Sequence, residues 1–464
     1  MASEASEIER DGVPFGEYPR APSEPEGGWR TPRRQPSLPE VFQSIRVPAG
    51  ASLLRRFLVF AGPGYLVAVG YMDPGNWATD IQGGSAYRYM LLSVVLVSSL
   101  TAVFLQALSA KLGLATGRDL AQACRDAYPR PVGIALWISA EIGIAACDVA
   151  EVIGAAIALN LLFHIPIAVG VIATGADVLL ILALQHKGFR MIEALVIALI
   201  ATITIIFGFE VFLSHPSYPA IMKGFIPDPA IVRNHDILYV SLGILGATVM
   251  PHNLYLQSSI VQTRKFGDKV ADIRNAIRNS YADTTIALGF AFLVNAAILI
   301  VAAAVFYESG HHDVQDIQGA YRLLTPLVGA SVATPMFAIA LLASGQNSTL
   351  TGTLAGQIIL EGFLDVHIAP WLRRLISRSL AIVPAVIVVI IMGEKGLGKL
   401  MIFSQVILSI QLSFAVIPLV HFTSNRAKMG PFVNGPAVRA LGWFTAAAIA
   451  ALNAYLVATT PISS

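Results

Sequence analysis

The chain has 464 residues, of which 55% are hydrophobic and only 13% charged, and its mean hydropathy is +0.67. A soluble chain carries about 25% charged residues, so this composition excludes a soluble globular protein and points to a helical integral membrane protein. The net charge of +2 says nothing about partners, because the charges are segregated by loop, and the two cysteines, Cys124 and Cys147, form no metal-binding cysteine motif.

Residues 1–50 are polar, hold eight prolines and contain no apolar run. They lack the apolar core of a signal peptide, and nothing in them could build a hydrophobic core, so a disordered cytoplasmic tail is expected. The remainder, 51–464, is expected to form one transmembrane domain. After Arg55-Arg56 come eleven apolar segments, each near the ~20 residues a bilayer requires: 57–84, 89–113, 131–160, 165–185, 191–213, 238–261, 281–306, 329–360, 371–392, 400–422 and 438–458. The eighth carries Ser344, Gln346, Asn347, Ser348, Thr349 and Thr351, and so should face the bundle rather than lipid. With the N-terminus inside, the inner loops and tail hold 25 of the 31 Lys and Arg residues and the outer loops 6. That asymmetry predicts a cytoplasmic N-terminus and an external C-terminus.

The first and sixth segments are interrupted by Met72-Asp73-Pro74-Gly75-Asn76 and Val249-Met250-Pro251-His252-Asn253. A proline cannot donate to the carbonyl four residues back and clashes with it, and it pushes its predecessor out of the α region. Each break should therefore release a carbonyl, that of Gly70 or Ala247, beside a side-chain ligand, the Asp73 carboxylate or the Met250 thioether. Irregular backbone at membrane depth is tolerated only inside protein or against a water-filled cavity. Segments 1 and 6 lie five spans apart, an odd number, so they enter the membrane from opposite sides. The halves 54–213 and 238–422 then form inverted repeats, and 438–458 is an added eleventh helix. The expected fold is all-α: a LeuT-like 5+5 inverted repeat with discontinuous helices 1 and 6, whose site lies where the breaks meet.

An Asp at the bilayer centre costs roughly 3 kcal/mol and requires a cation or a partner. Asp73, the Asn76 amide oxygen, the carbonyls of Gly70 and Ala247 and the Met250 sulfur offer up to five ligands. Oxygen donors alone suit Mg²⁺ or Ca²⁺, whereas a thioether shifts preference toward softer transition metals such as Mn²⁺ or Fe²⁺. The competing reading makes Met250 a packing residue, since methionine commonly fills gaps; its pairing with Asp73 at the matching position of the other half argues for a ligand.

These motifs, Asp73-Pro74-Gly75-Asn76 and Met250-Pro251-His252-Asn253, resemble the signature pair of the Nramp family of divalent-metal transporters, bacterial MntH proteins included. The similarity runs from about Leu54 to Leu456 and takes in Ala343-Ser344-Gly345-Gln346-Asn347-Ser348-Thr349 and Ser404-Gln405-Val406. The resemblance implies uptake of Mn²⁺ or Fe²⁺, with Cd²⁺ and Co²⁺ accepted, coupled to inward proton movement across a bacterial plasma (inner) membrane. It also implies that Gln405 joins the coordination when the site is occluded. No permanently bound cofactor, no nucleic-acid partner and a functional monomer are expected. Two departures are Gly70, where many members have Ala, and Trp77, where Phe is commoner. Related magnesium transporters lack the methionine that this chain keeps at 250.

Segment 3 carries Glu141, Asp148 and Glu151 at spacings of seven and three, which share one helical face. Intramembrane acids mark ion or proton routes or hold neighbouring helices by hydrogen bonds. By the resemblance, Asp148 and Glu151 match the proton route, with Arg373 and Arg374 as its basic partners; the arginines also read as positive-inside anchors. His252 lies inside the second break, where a histidine could ligate or relay protons, and the family favours the proton role. Asp73 takes part in both tasks, because metal binding requires its carboxylate form. His186, His367, His421 and the pair His311-His312 are read as boundary or loop residues.

Four other readings compete. A sodium-coupled symporter for an organic solute needs bare helix N-termini facing a substrate carboxylate, and a carboxylate with a thioether would repel that anion. A less selective carrier that also moves Mg²⁺ is the alternative closest to the main reading. An intramembrane enzyme is disfavoured, with no His-Glu-x-x-His motif and no second Asp motif to pair with Asp73. A channel or metal-sensing receptor on the same scaffold would differ in lacking concentrative, saturable uptake.

Overall fold

The computed structural model describes residues 28–33, 35–47, 59–176, 189–312, 314, 317–328, 333–366 and 370–460. Its architecture is helical throughout, apart from one two-residue strand pair. The first apolar segment divides into α1 (Pro63–Gly70) and α2 (Pro74–Tyr87), each with proline in its first turn, where the missing N–H costs nothing. There follow α3 (Leu92–Thr116), the short α4 (Leu120–Ala127), α5 (Arg130–Phe163), α6 (Ile167–Ala173) and α7 (Phe189–Leu213). The short helices α8 (Tyr218–Gly224) and α9 (Ala230–Arg233) lead into the second broken segment, α10 (His235–Val249) and α11 (Pro251–Ile260). The chain continues with α12 (Val270–Ala302), α13 (Ile317–Val328), α14 (Ala333–Leu364), α15 (Pro370–Met392), α16 (Glu394–Thr423), α17 (Arg426–Met429) and α18 (Pro436–Thr459).

Among the described residues, seven stretches are long and apolar enough to cross a membrane by length and composition: Leu92–Thr116, Arg130–Phe163, Glu193–Leu213, His235–Thr263, Val270–Tyr307, Gly396–Thr423 and Pro436–Thr459. Of the other expected spans, the first is the interrupted pair α1 and α2, and the fourth passes beyond the described residues after Ala176. The eighth forms the long α14, whose Ser344, Asn347, Ser348, Thr349 and Thr351 are all buried, as a bundle-facing polar helix should be. Large apolar side chains stand exposed along the outside of the bundle, among them Leu100, Phe212, Ile390 and Ile391. An apolar surface of that kind is compatible with a lipid neighbour and not with water.

α5 runs through the middle of the bundle and packs most extensively against α14 and α16. It passes directly behind the first break: a Cβ on Gly154 would lie 2.2 Å from Cβ of Pro74, so only glycine allows this approach. At one end, α1 is pinned by a buried ionic cluster. Arg264 pairs with Glu193 at 2.8 Å and donates from Nε and Nη2 to the carbonyls of Phe60 and Ala61. The Asp283 carboxylate accepts the N–H groups of Gly62 and Gly64. A charge cluster of this depth persists only because each member is paired or hydrogen-bonded.

The expectation of a disordered tail over 1–50 fails for residues 28–33 and 35–47. Trp29 is buried with its ring 5.8 Å from that of Phe422 at the end of α16, and β1 (Ile45–Arg46) pairs in parallel with β2 (Arg264–Lys265) after α11. Ser37 donates to Asp119, the N-cap of α4. Burial pushes the Asp119 carboxyl up to about 6, against the opposing effect of the bonds it accepts from Ser37 and the Gln122 N–H. Two buried anchors, Trp29 and Leu38, with main-chain pairing order a polar segment that has no core of its own.

Candidate metal site between the broken helices

In the first break, Asp73 has extended backbone (φ −68°, ψ 166°) and caps α2, its Oδ1 accepting the Asn76 N–H at 2.8 Å. An Asp at the N-cap satisfies an orphan donor and favours the positive helix end. The chain leaves α1 through tightened turns in which Tyr71, Met72 and Asp73 donate to Ala68, Val69 and Gly70. The Gly70 carbonyl is thus not bare, as expected from the sequence, but accepts a 3.3 Å bond from Asp73 N–H and keeps its second lone pair. The Met72 carbonyl is taken by Trp77 Nε1 at 3.1 Å and by the Ser344 hydroxyl.

In the second break, Met250 sits at φ 35°, ψ 100°, a left-handed backbone that L-residues seldom adopt. The Ala247 carbonyl is released by Pro251, as the sequence predicted, and accepts Asn76 Nδ2 at 3.0 Å. The same Nδ2 donates to Asp73 Oδ1 at 2.8 Å. One amide therefore ties the carboxylate of the first break to the free carbonyl of the second.

Asp73, Asn76, Ala247 and Met250 are buried, with Asp73 and Met250 at 0% exposure. Asp73 Oδ2 and Gln405 Oε1 find no hydrogen-bond partner among the described residues. Gln405 lies against the first break: a Cβ on Gly75 would fall 2.2 Å from its Nε2. Asn253 Nδ2 approaches Met250 Sδ at 3.6 Å and also abuts Gly70, whose added Cβ would lie 2.3 Å away. Unsatisfied oxygens around a buried carboxylate are costly, and a cation is the group that would satisfy them together. No cluster of three His, Cys, Asp or Glu side chains competes for that role among the described residues. The Asn76 amide presents its NH₂ to Asp73 and Ala247 and its Oδ1 to Asn295 Nδ2 at 3.2 Å. Ligation through oxygen thus requires the amide to turn over, which frees the Ala247 carbonyl at the same moment.

On the far side of the second break, His252 is buried with Nδ1 unpartnered among the described residues, and Nε2 lies 3.9 Å from Cys147 Sγ. Cys147 in turn lies 3.7 Å from Glu151 Oε1, and Ser348 and Thr349 of α14 donate to the two Glu151 oxygens at 2.6 and 3.1 Å. Asp148 is buried on the same helix. Glu141 stands apart: it is partly exposed and accepts Trp137 Nε1 at 3.0 Å, so the three acids of α5 do not form one continuous buried row. Arg373 and Arg374 fall at the start of α15, and their side chains lie outside the described ones. His421 is satisfied by the Tyr128 hydroxyl at 2.9 Å, while His186 and His367 lie outside the described residues.

Three contributors were not singled out by the sequence. Asn295 donates to the Tyr71 carbonyl and orients Asn76; its signal was a lone amide within an apolar segment. Tyr71 donates to the Val249 carbonyl at 3.2 Å and accepts from Gln106 at 2.7 Å. Cys147 links His252 to Glu151, and nothing in a single cysteine on an apolar helix announces that.

A discontinuous pair of helices, one carrying a capping carboxylate and the other a thioether on left-handed backbone, with the two breaks meeting in the interior, defines a multi-pass membrane protein built on broken helices. The model of the family described as natural resistance-associated macrophage protein-like matches residues 64–459, and the chain belongs to that family, Nramp. It is 58% identical over 428 residues to the divalent metal cation transporter MntH of Listeria innocua, covering 92% of this chain and 96% of that protein. The crystal structure of the Eremococcus coleocola manganese transporter, bound to an aromatic bis-isothiourea compound, superposes with a TM-score of 0.83 at 43% identity over 90% of both chains. Mhp1, a nucleobase-cation-symport-1 family transporter, matches with a TM-score of 0.58 at 15% identity, over 87% of this chain and 94% of that one. That last likeness concerns the fold alone, the LeuT-like inverted repeat, which this chain shares.

Proposed function

We propose that the protein is a secondary transporter that imports divalent transition metals, Mn²⁺ and Fe²⁺ first and Cd²⁺ and Co²⁺ as accepted substrates, together with protons. The observation that carries this reading is the Asn76 amide, held between Asp73 Oδ1 and the Ala247 carbonyl. It marks the point where a cation entering between the breaks would meet one negative charge, two carbonyls, an amide oxygen and a sulfur. In the proposed site Asp73 supplies the charge and Asn76, Gly70 and Ala247 supply neutral oxygens. Met250 biases the set toward softer ions, and Gln405 closes over the metal from α16. The names of the relatives support a divalent cation as the substrate class.

Coupling to protons follows from the same carboxylate. Metal ligands must be deprotonated to bind, so a metal arriving at Asp73 displaces any proton the carboxylate carries. His252, Asp148 and Glu151, with Glu141 and the Arg373-Arg374 pair farther along, form the proposed path for that proton. The Lys and Arg asymmetry of the loops supports a cytoplasmic N-terminus and an external C-terminus in a plasma (inner) membrane, with each monomer a complete unit.

The test is Mn²⁺ uptake into proteoliposomes containing a pH-sensitive dye. Saturable Mn²⁺ uptake with acidification of the lumen, unaffected by excess Mg²⁺, is expected. Mg²⁺ carried as readily as Mn²⁺ would overturn the selectivity argument, and uptake indifferent to an imposed pH gradient would overturn the coupling.

A further inference from the structure

The ordered tail sits where it can control the transport cycle. Trp29 is clamped between the Phe422 ring, the Arg118 guanidinium 4.7 Å from its centroid and the Lys428 ammonium at 3.9 Å. Lys428 Nζ also holds the Gly28 carbonyl at 2.9 Å. Arg30 N–H and the Thr31 hydroxyl bind Asp126, Gln122 Nε2 binds the Gln35 carbonyl at 2.7 Å, and Ser37 binds Asp119. Farther on, Gln43 N–H donates to the Gln262 carbonyl and Val47 N–H to that of Lys265, flanking the β1–β2 pair.

These anchors belong to different parts of the machine. α4 follows α3 in the first repeat, whereas β2 follows α11, and Phe422 ends α16, in the second. Arg264 joins the two systems. Its backbone pairs with Ile45 of the tail, and its side chain holds the Phe60 and Ala61 carbonyls at the entrance to α1. In inverted-repeat transporters, alternating access moves one bundle or repeat against the other around the fixed site. A segment stapled to both repeats on one face opposes opening on that face.

We propose that residues 28–33 and 35–47 form a strap across the inner mouth, and that the β1–β2 pairing and the Trp29 clamp must let go each time the protein opens inward. This rests on the transport reading and on its N-terminus-inside orientation. The contacts suit a reversible catch. They combine short main-chain pairing, single hydrogen bonds, one aromatic ring between two cations and a few apolar side chains, of which Trp29 and Leu38 are buried while Val41, Ile45 and Val47 are only partly so.

The proposal is tested by tying the strap down. Arg46 and Lys265 are Cα partners across the parallel pair and both are exposed, a spacing that suits a disulfide. The natural cysteines, Cys124 and Cys147, are both buried. The full-length Arg46→Cys/Lys265→Cys protein is reconstituted, and initial Mn²⁺ uptake is compared after oxidation and after reduction. Oxidation should cut the rate to about a tenth or less, as expected when a gating motion is blocked, with recovery on reduction. A cross-linked protein that keeps half or more of the reduced rate overturns the strap.

Trp29→Ala, which loosens the clamp without touching the metal site, is the independent arm. It should raise turnover roughly two- to fivefold where inner opening limits the rate, and a turnover at or below wild type overturns the proposal by itself. A wild type that moves no Mn²⁺ sinks the transport reading and the strap with it. Wild-type flux that ignores the tie and the Trp29 substitution sinks the strap alone.

Discussion

The two breaks answer the same sequence device, a proline in mid-span, in opposite ways. The first is satisfied within its own neighbourhood: Asp73 caps α2, the Gly70 carbonyl takes the Asp73 N–H, and Trp77 and Ser344 share the Met72 carbonyl. The Trp77 ring also wedges against Phe207 and Phe337 at centroid distances of 4.7 and 5.1 Å. The second break has no side-chain cap and holds Met250 at φ 35°. Two of its carbonyls, Ala247 and Val249, are completed by Asn76 and Tyr71 of the first segment. The first break is capped by its own segment and braced by Ser344 and Asn295, whereas the second has no cap and takes two of its donors from the first. Any movement that separates the two breaks therefore strips two donors from the second while the Asp73 cap of the first is kept.

The largest effect should come from the capped side. Asp73→Asn keeps a capping side chain, and so the break, but removes the only negative charge assigned to the site. Mn²⁺ uptake should fall by roughly a hundredfold or more, the scale of losing one partner of a buried charge pair, while the detergent-solubilised protein keeps its thermal midpoint. Uptake within tenfold of wild type would detach the metal from Asp73. On the dependent side, Met250→Ala removes the sulfur but no charge. It should lower Mn²⁺ affinity by about tenfold or less and let excess Mg²⁺ compete, because softness and not charge is what has been deleted. An unchanged Mg²⁺ response in competition uptake would return Met250 to a packing role.

Much of this could be read in the sequence because prolines and intramembrane charges act locally. Pro74 and Pro251 dictate breaks whatever surrounds them, and Asp73, Met250 and the released Ala247 carbonyl follow by counting residues. The fate of the Gly70 carbonyl did not follow, because a tightened turn recaptured it with Asp73 N–H. That outcome depends on how the chain leaves the helix, not on residue type. The α5 acids were recognisable as a set, yet their division into a buried pair and a partly exposed Glu141 bonded to Trp137 depends on where neighbouring helices end. The tail shows the same limit: composition offers residues 28–33 and 35–47 no core of their own, and composition does not reveal the foreign surface that receives Trp29 and Leu38.

A smaller effect is expected where the first segment reaches across. Tyr71→Phe removes the donor to the Val249 carbonyl and the acceptor of Gln106 Nε2, all of them buried. Unmet buried polar groups of this kind cost about 1–3 kcal/mol. The thermal midpoint should therefore drop, and the stabilisation gained on adding Mn²⁺ should shrink. An unchanged midpoint would mean that the second break does not depend on Tyr71 for closure.

The smallest effect belongs to Gly70→Ala. A Cβ there would lie 2.3 Å from Asn253 Nδ2, so the two breaks cannot keep their present approach without an adjustment. What must give is the end of a side chain, not backbone, and Asn253 Oδ1 is already without a partner among the described residues. The amide can turn away, giving up its 3.6 Å contact with the Met250 sulfur. Overpacking that a side chain can relieve should cost about 1 kcal/mol, read as a several-fold shift in the KM for Mn²⁺ with little change in maximal rate. A collapse of transport in Gly70→Ala would show that Asn253 holds the Met250 sulfur in place and that the second break tolerates far less movement than its strained, uncapped backbone implies.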